Sequence, residues 1–219
     1  MATFTATAGS SSTIGYAQYS STSWNTGTTN GACQGAYQGT AASNSRVGVM
    51  VFSGAGATLQ GKVIQSMTLK ITCSGAGSAK TDKVLSFRKA LYQSLKTGIK
   101  GSAQVGDALG TLTGKFYDNT VTHTLSTSTN TALFNALKDY FTAGNSVLVI
   151  YNGETSSSSG YSSNYARVTT VVLTVTYIEA TVWYRNGSTW QQCTVWYCNA
   201  GTWIQCVPYY NSGGSWIRV

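Results

Sequence analysis

The chain has 219 residues, of which 42% are hydrophobic, 12% aromatic and only 9% charged. Such aromatic content excludes a disordered chain, although the charged share lies far below the roughly 25% of ordinary globular domains. The net charge of +8, from 14 Lys and Arg against 6 Asp and Glu, suits an anionic partner or, more plainly, strand edges guarded by lysine. No apolar run reaches the roughly 18 residues of a membrane span, so no membrane partner is expected. The N-terminus lacks the basic and apolar regions of a secretory signal. There are 24 glycines and a single proline, Pro208, which together with abundant Thr, Val and Tyr point to short strands and tight turns.

Residues 1 to about 45 are small and polar, with a strand expected near Thr13 to Ser20. Val47 to Phe52 is a short apolar strand. Val63 to Cys73 alternates most clearly, with Val63, Met67, Leu69, Ile71 and Cys73 expected inward. Val84 to Tyr92 follows, with Leu85, Phe87 and Leu91 on one face. Around it stand Lys80, Lys83, Arg88, Lys89, Lys96 and Lys100 against Asp82, read as solvated edges; adjacent Arg88 and Lys89 must point to opposite faces. A strand from Phe116 to Leu125 precedes the one helix, where Leu133, Leu137, Tyr140 and Phe141 recur at helical spacing between Asn130 as N-cap and Gly144 as stop. Val147 to Tyr151 is continuously apolar, as in a strand buried on both faces. Residues 152 to 163 read as an exposed loop, and Val168 to Tyr177 closes the domain with Val171, Leu173, Val175 and Tyr177 inward.

The end of the chain is a repeat. Trp190, Trp203 and Trp216 lie thirteen residues apart, each preceded by an aromatic run, a turn rich in Asn and Gly, and Thr or Ser. In a continuous strand Trp190, Gln192, Thr194 and Trp196 would share one face, and Gln191, Cys193, Val195 and Tyr197 the other. Both faces carry apolar weight, and a unit of under about 40 residues cannot hide two such faces alone. A companion must cover one of them: another copy, the preceding domain, a neighbouring protein or a ligand.

The order of "GKVIQSMTLKIT", "NTALFNALKDYFTAG", "SVLVIYNGE" and "YARVTTVVLTVTY" over residues 45 to 178 resembles the DNRLRE-type β-sandwich modules of bacterial surface and phage proteins. The tail, with "WYRNGSTWQQC" and its two following copies, resembles the tandem repeats at the ends of phage virion proteins, especially tail-associated and head-decoration proteins. The resemblance implies an outward-facing virion module assembled in the host cytoplasm and released by lysis.

No catalytic constellation stands out. His123 is the only histidine and shares a strand face with Val121 and Leu125, the pattern of a satisfied structural residue. Of the carboxylates, Asp107, Asp118 and Glu154 lie in turn-like contexts and Asp139 on the polar side of the helix; nothing selects a glycosidase pair from them, Asp82 and Glu179. No calcium loop or phosphate-binding glycine loop is present, and the cysteine spacing does not fit zinc, so neither metal nor cofactor is expected. The five cysteines are Cys33, Cys73, Cys193, Cys198 and Cys206; Cys193 and Cys206 share a repeat position and would be neighbours in a meander, though buried thiols suit a reducing compartment.

The expected fold is therefore all-β: a jelly-roll-type β-sandwich with one helix over residues 1–179, then a small β-hairpin repeat (meander) domain over residues 180–219. The resemblance, joined to these absences, implies a non-enzymatic bacteriophage virion structural protein, serving in capsid decoration, a head fibre or the tail. Trp183, Trp190, Trp196, Trp203, Tyr209 and Trp216 would form its surface for oligomerisation, anchoring or host contact. Its partners would be itself, as a homo-oligomer such as a trimer, other virion proteins and host surface polysaccharide, with nucleic acid not expected. The alternative is a carbohydrate-binding module that recognises bacterial cell-surface glycan.

Overall fold

The computed structural model describes residues 1–75, 80–178, 182–186, 189–193, 196–199, 201–205, 209–212 and 215–218; beyond residue 178 the description is of strands and their register. The chain runs β1 (Ala2–Ala8), β2 (Ile14–Gln18), β3 (Trp24–Thr26), β4 (Ala32–Gly39), β5 (Ser45–Val51), α1 (Ala55–Leu59), β6 (Val63–Cys73) and β7 (Lys83–Ala90). It continues as β8 (Val105–Gly114), β9 (Thr120–Ser126), α2 (Thr131–Thr142), β10 (Val147–Ile150), β11 (Ser157–Tyr161) and β12 (Ala166–Ile178). The tail contributes β13 (Val182–Asn186), β14 (Thr189–Cys193), β15 (Trp196–Asn199), β16 (Thr202–Gln205), β17 (Tyr209–Ser212) and β18 (Ser215–Arg218).

Every pairing is antiparallel. One sheet runs β9–β6–β12–β1 and the other β8–β7–β10–β5–β2–β3. Leaving aside β2, β3, β4 and β11, the chain visits the remaining strands in the order of a jelly roll, four on four, with the extra strands inserted in two of its connections. Strand β4 turns the corner between the sheets: Ala32, Cys33 and Gln34 pair with β12, while Gly35 and Ala36 pair with β5.

The core lies between the sheets, where Leu69, Leu173 and Val175 meet Met50, Phe87 and Ile150. Helix α2 closes one end with Leu133, Phe134, Leu137 and Phe141 buried, each contributing about 1.5–3 kcal/mol through burial. Its predicted stop holds: Gly144 has φ 91 and its N–H donates to the Phe141 carbonyl. The expected N-cap residue holds its position but makes no capping bond. Asn130 occupies that position at φ 51 with no side-chain cap, because its amide donates to the Thr124 carbonyl instead, at 2.9 Å. A second, short helix, α1, packs against α2; its Gly56 lies so close to the Gly144 carbonyl that a Cβ would stand 2.1 Å from that oxygen.

The run of β10 is buried on both faces, as expected. Leu148 and Ile150 enter the main core, whereas Val147 and Val149 join Val47, Val49 and Ala90 on the outside of the sheet. The β7–β8 connection lies across that outside face. It is pinned to the β2–β3 region by Gly101 N–H donating to Ser21 O (3.0 Å), Ser102 N–H to Tyr19 O (2.8 Å) and the Trp24 indole to Ile99 O (3.0 Å).

Several expectations are corrected. Residues 1 to 45 hold four strands, with β1 alternating Ala and Phe inward with Thr outward. In β6, Ile64 rather than Val63 is buried, because the pairing with β12 steps from Thr176–Ser66 to Tyr177–Ile64 and the bulge at Gln65 inverts the alternation. Strand β7 ends at Ala90, leaving Leu91 63% exposed, after irregular register with β8. Phe116 precedes β9 and is not in it, and Asp107 lies within β8. Residues 152–163 do not form an exposed loop: Ser157–Tyr161 pairs with β4, and Ser162 is buried.

Candidate functional site

The tail forms three hairpins, β13–β14, β15–β16 and β17–β18, each a separate two-stranded sheet. The expected meander is therefore corrected: among the described residues no strand of one hairpin pairs with another hairpin. Their registers repeat at the sequence period. Arg185 faces Trp190, Cys198 faces Trp203 and Asn211 faces Trp216, while Trp183, Trp196 and Tyr209 face Gln192, Gln205 and Arg218. Facing positions in an antiparallel pair share a side of the ribbon, and so do positions two apart. By register, Trp183 and Trp190 thus belong to one face of the first hairpin, Trp196 and Trp203 to that of the second, and Tyr209 and Trp216 to that of the third. Cys198 is exposed; Cys206 lies outside the described residues, and so does any pairing with Cys193.

A second group, not expected from the sequence, lies at the corner where β4 changes sheets. Gly35 pairs with Arg46 and has φ 87; a Cβ there would stand 2.8 Å from Tyr165 Cα, so only glycine lets the 161–165 segment settle on β4. Settling brings Tyr161 opposite Tyr37, rings 4.7 Å apart, and packs Tyr161 on Tyr165 in a tilted pair with centroids 4.0 Å apart. Across β5, Arg46 lies 5.1 Å from the Tyr16 ring and 5.9 Å from the Tyr37 ring. Tyr16, Arg46, Tyr37 and Tyr161 are all half-buried. The sequence offers no periodic signal for this group, because its members come from β2, β5, β4 and β11.

Beneath that corner is a partly buried polar network. The Glu154 carboxylate accepts from Asn152 (2.9 Å), Ser162 (2.6 Å), Ser163 (3.3 Å) and Asn164 (3.1 Å), and its backbone carbonyl takes the Ser45 hydroxyl. Gln34 donates to Val84 O and Asn164 O and accepts from Ser86 N–H. Lys83, expected at a solvated edge, is instead buried and donates to Ser163 O at 2.7 Å. Burial pushes its pKa down, partly offset by Glu154. A carboxylate so fully occupied is a structural clamp.

The chain matches no protein-family model, and no curated protein matches it.

Glu179 lies outside the described residues, and among those described the other carboxylates do not converge on a reaction centre. Asp107 pairs with Lys89 at 3.3 Å and Asp139 with Lys138 at 4.0 Å, both largely exposed, while Asp118 accepts the Gly75 N–H. Asp107 and Asp139 line a groove of about 500 Å³ between α2 and β8, floored by Ala108, Ala136 and Tyr140. The Tyr140 hydroxyl is committed: it donates to Val147 O at 2.7 Å and accepts from Ala90 N–H at 3.1 Å. Among the described residues no group of His, Cys, Asp and Glu could hold a metal ion. His123 is not the satisfied residue expected. It packs on Phe116 with ring centroids 5.2 Å apart, and its Nε2 is buried without a hydrogen-bond partner. Desolvation lowers its pKa.

Proposed function

We propose that this protein is a non-enzymatic structural component of a bacteriophage particle, a jelly-roll module over residues 1–179 whose C-terminal hairpins over residues 180–219 join it to copies of itself. Supporting this is the register of the tail: three hairpins of one pattern, each with two aromatic positions on a single face. A lone two-stranded ribbon is marginal in water, and its aromatic face gains most when another surface covers it. Closed symmetric association is the commonest way to provide that surface. Trp183, Trp190, Trp196, Trp203, Tyr209 and Trp216 are the residues that would carry it, and further contacts to virion neighbours or the host surface would use what remains exposed.

Light scattering and native mass measurement of the full chain test the reading. A closed homo-oligomer is expected, reduced to monomers when Trp190, Trp203 and Trp216 are all changed to Ala, with the sandwich's thermal transition retained. A monomeric wild-type chain whose tryptophan fluorescence shifts on addition of cell-wall glycan would instead favour a carbohydrate-binding module.

A further inference from the structure

The strip Tyr16–Arg46–Tyr37–Tyr161 has a property that its role in packing does not use. Residues 1–178 hold three arginines. Arg88 donates to Tyr151 O (3.0 Å) and Gly106 O (3.4 Å), and Arg167 donates to Ser74 O (3.3 Å) and Ser74 Oγ (2.6 Å). The Arg46 guanidinium has no hydrogen-bond or ion-pair partner among the described residues, yet it is held between two tyrosine rings. A planar fork of five donors, oriented by aromatic faces and left unspent, is prepared for a carboxylate or phosphate. Glu154, whose backbone meets Ser45 next door, does not supply that anion, since Asn152, Ser162, Ser163 and Asn164 occupy its carboxylate.

The rings around Arg46 form a line. Register puts one member on each of four adjacent strands: Tyr16 diagonal to Arg46 across the β2–β5 pair, Tyr37 diagonal to it across the β5–β4 pair, and Tyr161 directly opposite Tyr37. Three strand spacings of about 4.8 Å give the strip a width of about 14 Å across the strands, with the two diagonal steps adding offset along them. On β2 and β5, Tyr16 and Arg46 continue the side that Ile14 and Met50 present to the core, but they are half-buried where those two are 0% and 1% exposed. The strip therefore lies where the inner face of the sheet emerges at the end of the sandwich. Aromatic rings with a cation between them, in a chain of net charge +8, match a polymer that alternates flat apolar ring faces with anionic groups.

We propose that Tyr16, Arg46, Tyr37 and Tyr161 form a binding site for an acidic polysaccharide: sugar rings pack on the tyrosines, and a carboxylate or phosphate on the sugar takes the Arg46 guanidinium. The site is separate from the tail and does not depend on the assembly reading.

Calorimetric titration of the full-length chain tests it with four probes: polygalacturonate for the carboxylate, a phosphomannan (a polymer of sugar rings bearing phosphate) for the phosphate, neutral dextran, and single-stranded oligothymidylate. At least one acidic polymer is expected to bind, weakening as salt rises, with dextran inert; which of the two binds names the anion. Arg46→Gln, Tyr37→Ala and Tyr161→Ala are each expected to weaken binding at least tenfold. Arg46→Lys retains the charge without the planar fork and should fall between Arg46→Gln and the wild type. Each variant's thermal transition is followed, and Arg46→Lys keeps the test decisive should Tyr37→Ala unfold. The triple tail change of Trp190, Trp203 and Trp216 to Ala should leave the affinity unaltered. Failure of both acidic polymers to bind, equal binding of dextran, Arg46-dependent binding of oligothymidylate alone, or acidic-polymer affinity indifferent to Arg46 would each overturn the proposal.

Discussion

Single side chains here behave according to what surrounds them. Burial pushes the Cys33 thiol up to about 11 and the Cys73 thiol up to about 12, so neither is a thiolate near neutral pH, whereas Cys198 is exposed. Native-state alkylation at pH 8 followed by peptide mapping should therefore spare Cys33 and Cys73, both reacting once denaturant is added. Modification of Cys33 in the native chain would contradict the packing of β4 against Tyr165. His123 carries a pH signature. Its folded pKa is lowered by desolvation, so below the unfolded value of about 6.5 the unfolded chain takes the proton more readily than the native one. Its share of stability is present above that value and is lost as the pH falls through it. Denaturant midpoints should drop between pH 7.5 and 5, and less steeply in His123→Gln; equal slopes would remove His123 as the cause. The lone histidine was easy to find in the sequence, but its unpartnered Nε2 was not, because the Phe116 ring beside it comes from an adjoining turn.

At the scale of elements, alternation and helical spacing located β6, α2, β10 and β12 well, since each buries a regular stripe against a large core. Besides the short helix α1, the strands missed were β1, β3, β4, β8 and β11, whose sequences are short, polar or rich in Gly, Ser and Thr. Their pairing partners supply the order that their own residues do not. Thr5, Thr174, Thr68 and Thr124, for example, stand in register across four strands and make the outward side of the first sheet a threonine surface. The join between α1 and α2 is the tightest of these arrangements. Gly56→Ala should cost about 1–3 kcal/mol by forcing the helix away from the Gly144 carbonyl, measured by denaturant unfolding. An unchanged midpoint would mean that this approach is looser than 2.1 Å to a Cβ implies. The buried clamp is a second such place: Gln34→Leu leaves the Ser86 N–H and two carbonyls without partners, and a loss of about 1–3 kcal/mol is expected in the same measurement.

At the scale of the whole molecule, the sequence by itself determined that the chain is all-β, that a helix stands just before the apolar strand at Val147, and that the tail repeats every thirteen residues. Those properties are periodic, and a period is visible in a string. Tertiary structure alone decided the rest. It set the individual strand pairings within the expected jelly-roll class, the second core under the β7–β8 connection, the pairing of the tail's described strands as three two-stranded ribbons, and the meeting of Tyr16, Arg46, Tyr37 and Tyr161. Each depends on contacts between residues far apart in the chain, such as Tyr37 and Tyr161. Which distant strands become neighbours follows from how the chain closes around its core, and no local pattern encodes that closure.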